Sequence, residues 1–180
     1  MKLNTSMNAP FLQPIVFNNE QLNIMYQAVD MAEELVSNEY QLSLRQWQKN
    51  PYDVKTLIDL SKDEVAEKPY AQLIRYQARK NQSELSSAKF DYYKICIQDH
   101  NILSVYLTNP AIQLFPFILY ILTHELIHIV RFSCFLHLFQ ATETERLDEE
   151  RRVHRKTKEI LSNLNMPSLN PILNFQGWIF

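Results

Sequence analysis

Apolar residues return at helical spacing between Asn19 and about Gln48, at Leu22, Met25, Ala28, Val29, Ala32, Leu35 and Val36, with acidic residues between them. One apolar stripe on a 3.6-residue period predicts a long amphipathic helix, with a possible break near Asn38 and an end at Pro51. A second helical region is expected from Asp53 to about Lys80, broken before Pro69, because a residue that precedes proline avoids the helical region of φ and ψ. The period then changes. Tyr93, Ile95 and Ile97 alternate with Tyr92, Lys94, Cys96 and Gln98, which predicts a half-buried strand. Ile102 to Thr108 is rich in β-formers and reads as a second strand after a turn at Asp99-His100-Asn101.

Pro110 and Pro116 punctuate the approach to a third long helix, expected to run to about Gln140. A last helix is expected to start near Thr142 or Thr144 and to end near Met166-Pro167, with acids in its first turns and cations later, the order that suits the helix dipole. Beyond it, PSLNPILNFQGWIF is more apolar than a solvated terminus should be. The chain holds a single glycine, Gly177, so turns that require positive φ must be rare, which favours helices over tight hairpins. The expected class is α+β, mostly helical, with a small sheet beside the third long helix. One domain of 180 residues is expected, with a helical half over 1–90, a second region over 91–165 and an apolar tail over 166–180.

Composition narrows the field. Apolar residues make up 46% of the chain and charged residues 21%, which places it among globular chains rather than disordered ones. A formal charge of -2, with no basic run interleaved with aromatics, removes nucleic acid as an expected partner. The N-terminus has no continuous apolar stretch of signal-peptide length, so a cytoplasmic location is expected. Cys96 and Cys134 fit that compartment as small buried hydrophobes without a metal-binding spacing. Asn101 to Thr123 carries no charge, but its polar residues and two prolines argue against a membrane span.

Chemistry concentrates in YILTHELIHIVRF, Tyr120 to Phe132. His124 and His128 stand four apart, so on a helix both imidazoles leave one face one turn apart, the spacing that lets them share a Zn2+ ion. Glu125 follows the first of them and is placed to hold a water rather than the metal. The flanking residues Ile121, Leu122, Leu126, Ile127, Ile129 and Val130 make the helix apolar nearly all round, hence interior, and ionisable groups there need a partner that a dication supplies.

A third ligand is sought downstream. His137 would lie about 14 Å from His128 along a continuous helix, too far to share its ion. On the last helix, Leu147, Val153, Thr157, Ile160, Leu161 and Leu164 are expected to face inward, and Glu150 falls in phase with them while Glu149 is turned about 100° away. Glu150 is therefore the expected ligand. Glu143, Glu145 and Glu149 are read as solvated carboxylates or first-turn dipole partners.

His124-Glu125-Leu126-Ile127-His128 resembles the HExxH motif of the zincin metallopeptidases, and with Glu150 the pattern is similar to their gluzincin branch, where a second helix returns a glutamate to the metal. The extended metzincin continuation is absent, with Cys134 at one of its positions. In several gluzincin families an aspartate follows four residues after the ligand glutamate; here that position holds His154, open to a role as second shell, transition-state stabiliser or alternative ligand. The resemblance spans roughly Asp91 to Leu164 and implies hydrolysis of peptide or protein substrates, with Glu125 as general base and His154 facing the oxyanion; Arg131 is a distant second there, better suited to neutralise a carboxylate. It also implies a cleft strand that pairs with extended substrate, a place taken here by Ile102 to Thr108. A non-catalytic metal-binding regulatory protein is the alternative. The terminal Trp178, Ile179 and Phe180 either pack on the core or fold over the cleft.

Overall fold

The computed structural model describes residues 15–79, 89–133 and 142–178. Helix α1 spans Asn19–Tyr40 and starts at a reciprocal cap, in which Asn18 accepts from the Gln21 amide and the Gln21 side chain accepts from the Asn18 amide, both at 2.9 Å. Met25, Ala28, Ala32 and Val36 are its buried stripe, and the two alanines let it lie close along the central helix. It ends where Gln41 takes a left-handed conformation, φ 53°, and the Leu42 amide closes back on the Ser37 carbonyl at 2.8 Å. The break expected near Asn38 thus falls at Gln41, and α2, Leu44–Lys49, is a separate helix held to α1 by Trp47 Nε1 donating to Ser37 Oγ at 2.8 Å.

The region expected to be helical from Asp53 to Lys80 is not. It forms strand β1, Tyr52–Lys55, two short 3-10 turns at Leu57–Asp59 and Lys62–Glu64, and strand β2, Ala71–Arg79. Strand β3, Lys89–Ile97, is the centre of a mixed sheet ordered β1-β3-β2, parallel to β1 and antiparallel to β2. Pairing β2 to β3 from Ala71↔Ile97 to Arg79↔Lys89 satisfies backbone groups that local helical spacing could only have satisfied internally. Tyr93, Ile95 and Ile97 of β3 enter the core as the alternation predicted. Cys96 is buried too, and burial pushes its thiol up to about 11.

The strand expected at Ile102 to Thr108 is instead the body of helix α3, Asp99–Thr108, and the expected turn at Asp99 is its first turn. The deciding residue is Asp99 itself. Its buried carboxylate accepts from the Phe17 amide at 2.9 Å and the Leu57 amide at 3.0 Å, tying the helix start to two remote segments. Helix α4, Leu114–Ser133, is buried on almost every side, with Pro116 tolerated in its first turn. It is long and apolar enough to cross a membrane by length and composition, and 78% of its apolar window is buried inside the fold.

Helix α5, Glu143–Ser162, opens with Thr142 and Glu145 capping one another, so Glu145 is a first-turn partner as expected. Its buried stripe is Glu149, Val153, Thr157, Ile160 and Leu161. Two expectations fail here. Leu147 is exposed, and Glu149 is not a solvated carboxylate but 2% exposed, because it stands four residues, about 40° of helical turn, from Val153 and so falls on the buried stripe. After a 3-10 turn at Pro167–Leu169 and helix α6, Asn170–Leu173, the chain returns to α4, where Phe175 and Trp178 pack edge-on against Phe117 or beside it. The fold is α+β and mostly helical, with one core shared by all the helices and the sheet.

Candidate metal centre

Helix α4 carries a row of side chains one turn apart: Tyr120, His124, His128 and Phe132. His128 is buried and stacks on Phe132 with ring centroids 5.8 Å apart, and His124 meets His128 edge-on at 4.8 Å. Across from them α5 presents Glu150. His124 Nε2 lies 3.2 Å from His128 Nε2 and 3.1 Å from Glu150 Oε2, and His128 Nε2 lies 3.4 Å from that same Oε2 and 3.3 Å from Oε1. These are the three residues that the sequence proposed as ligands, and the fold brings them together.

Three close contacts have too few hydrogens to fill them. Each Nε2 carries one hydrogen at most and the carboxylate supplies none when ionised, so at most two hydrogens serve three contacts, and at least one contact is left unsatisfied unless a cation sits among them. Donor atoms bound at about 2.0–2.1 Å in a tetrahedron stand about 3.3 Å apart, which is the observed triangle. The donor set therefore fits a small divalent ion. Burial opposes ionisation of Glu150, yet its hydrogen bonds to His124 and His128 and their charges outweigh it and hold the carboxyl well below the usual range.

Glu125 is half-buried and borders the same cleft. Burial pushes its carboxyl up to about 7; the His124 imidazole pulls it down and Glu150 pushes it further up. His154 stands one turn beyond Glu150 on α5, with its ring 6.5 Å from that of His124. It does not join the ligand triangle. Its Nδ1 meets the Tyr120 hydroxyl at 2.5 Å instead, and Glu150 stands in the place of the third ligand. Burial drops its imidazole to about 4, with the charges of Lys158 and His124 acting the same way and Glu150 against them, so the ring is neutral at physiological pH. Arg131 is likewise engaged elsewhere, since its Nε and Nη2 both donate to buried Glu149. It thus neutralises a carboxylate, the role the sequence favoured for it. His137 and Cys134 lie outside the described residues.

A cleft of about 410 Å³ opens over these groups. Its far wall is β2 with the preceding residue, Tyr70 to Leu73, rather than Ile102 to Thr108. Ala71, Gln72 and Leu73 border it consecutively, and among the described residues β2 is hydrogen-bonded to β3 on one side only, so an open strand edge and not a pleated face meets the cleft. Trp178 closes one end. Sequence reasoning missed Tyr120 and the β2 edge. Tyr120 was detectable, being four residues before His124 on the same helical row, whereas the β2 edge depends on a pairing that no local pattern announces. Comparison with protein-family profiles, with curated proteins and with solved structures returns no match.

Proposed function

We propose that this protein is a zinc-dependent peptidase of zincin type. The carrying observation is the triangle of His124, His128 and Glu150, whose edges suit a tetrahedral ion, beside a carboxylate that is not part of it. Two imidazoles and one carboxylate are a ligand set of catalytic zinc sites, which leave the fourth position open. Bound there, zinc would acidify a water and polarise a carbonyl.

Each remaining part is a job for this chain's own side chains. Glu125, with its carboxyl near neutrality, accepts the proton of the attacking water and passes it to the leaving amine. Neutral His154 offers an N–H to the charge that develops on the scissile carbonyl oxygen. An extended peptide adds to the open edge of β2 through main-chain hydrogen bonds, which brings its backbone along the cleft toward the two histidines. Helix α4 is read as the interior rod of a folded domain, in keeping with its burial.

A regulatory metal-binding protein would need the triangle but not Glu125, since a site that only holds structure gains nothing from a base. A digest of a peptide library by zinc-loaded protein decides between them. Cleavage by wild type, reduced ~1000-fold or more in Glu125→Gln at equal zinc content, is the expected result. No cleavage by zinc-replete wild type would leave only the binding role.

A further inference from the structure

Tyr120 is 1% exposed and lies flat against Trp178, with ring centroids 3.9 Å apart and planes inclined by 19°. Trp178 is itself fixed from behind. Its Nε1 donates to the Ile172 carbonyl at 3.3 Å, and its ring meets Tyr70 and Phe175 edge-on. The main chain before it is pinned because the Tyr70 hydroxyl donates to the Gly177 carbonyl at 2.9 Å. The chain's last described residues thus form the back of the cleft, and they clamp the phenol that meets His154.

The Tyr120 hydroxyl stands 2.5 Å from His154 Nδ1, and 3.4 Å from both His154 Nε2 and the His154 carbonyl. Burial pushes the phenol above its ordinary range, so it keeps its hydrogen and acts as a donor. The short contact takes that hydrogen. An imidazole that accepts at Nδ1 while neutral must carry its own hydrogen at Nε2. Among the described residues the groups facing the ring include Glu150 and Lys158 on its own helix, His124 and Tyr120 on α4, and Trp178 from the tail.

We infer that Tyr120 is a positioning residue: clamped by Trp178, it fixes His154 in the Nε2–H tautomer and so makes that ring a hydrogen-bond donor at the cleft. The catalytic use of that donor rests on the peptidase reading above, but the tautomer does not. In the usual zinc-ligand arrangement a second group orients a histidine that binds metal; here the oriented ring is the one outside the ligand triangle.

Long-range 1H–15N correlation spectra of uniformly labelled protein read the tautomer directly, with the His154 signals assigned by their loss in His154→Gln. The expected wild-type spectrum shows Nε2 protonated and Nδ1 as a hydrogen-bonded acceptor. In Tyr120→Phe, which keeps the stack and loses the hydroxyl, Nδ1 should lose that signature, and kcat should fall ~10-fold with KM and zinc content unchanged. Trp178→Ala should shift the same signals in the same direction. A wild-type ring protonated at Nδ1, or a Tyr120→Phe protein with an unaltered tautomer or unaltered kcat, overturns the inference. Lack of any turnover in zinc-loaded wild type refutes the peptidase reading instead, and the spectra still decide the Tyr120–His154 pair.

Discussion

Arg131 and Glu149 clasp one another between α4 and α5, beside the ligand pair His128 and Glu150. Glu149 is 2% exposed, and Arg131 reaches it with two hydrogen bonds in a fork geometry. The pair joins the two helices that carry the candidate ligands, so its loss should be felt at the candidate site.

Removing Arg131 takes from buried Glu149 the partner that gives it two hydrogen bonds, while Arg152, 3.9 Å away, is mostly exposed. Arg131→Met should destabilise the fold by about 3–5 kcal/mol, while the double variant Arg131→Met, Glu149→Leu should recover most of that loss. Denaturant titrations of the three proteins check this. Zinc affinity should follow stability in the single variant.

Zinc should stabilise the folded chain in proportion to its affinity. At a free concentration a thousand times the dissociation constant the gain is about 4 kcal/mol, and it requires the intact triangle. Thermal unfolding with added zinc should therefore move upward in wild type and Glu125→Gln, and stay in place in His124→Ala and Glu150→Ala.

Outside the candidate triad, Glu64 gives the acid limb of the stability curve a defined shape. Its carboxylate takes hydrogen bonds from Lys94 at 2.6 Å, from the Ser61 amide at 2.8 Å and from Tyr76 at 2.8 Å. Lys94 first, then Ser61 and Tyr76, hold its carboxyl down at about 2, against a starting value of 4.5. A carboxyl whose folded value is lowered stabilises fully above its unfolded value, and that contribution is lost as pH falls through the folded one. Wild type should lose stability between about pH 4.5 and 2 more steeply than Glu64→Gln, as denaturation midpoints across that window would report.

Gly177 is required for contact rather than for backbone freedom. A Cβ there would come within 2.4 Å of the Phe175 ring, which already packs on Phe117 and Trp178. Gly177→Ala should cost about 1–3 kcal/mol and alter Trp178 fluorescence as the ring shifts.

How far the sequence carries the account depends on the range of the interaction concerned. His124 and His128 were legible because one turn of helix sets their geometry. Glu150 was found by helical phase, although the same phasing wrongly turned Glu149 outward: the apolar residues of α5 are sparse near its start, and buried Glu149 takes a core position through Arg131. Asp53 to Lys80 and Ile102 to Thr108 were misread because short apolar runs fit either period. What decided them was distant, the β2–β3 pairing in one case and the Asp99 carboxylate bonding Phe17 and Leu57 in the other. The stack of Trp178 on Tyr120 belongs with these, joining the chain's end to its central helix.

The central claim is that His124, His128 and Glu150 hold one zinc ion between α4 and α5. Zinc-edge X-ray absorption on metal-depleted protein reloaded with one equivalent of zinc tests it most directly. The account requires a first shell of nitrogen and oxygen at about 2.0–2.1 Å with two imidazole scattering patterns, reduced to one in His128→Ala. A shell without imidazole scattering, or a wild-type spectrum unchanged by His128→Ala, contradicts it.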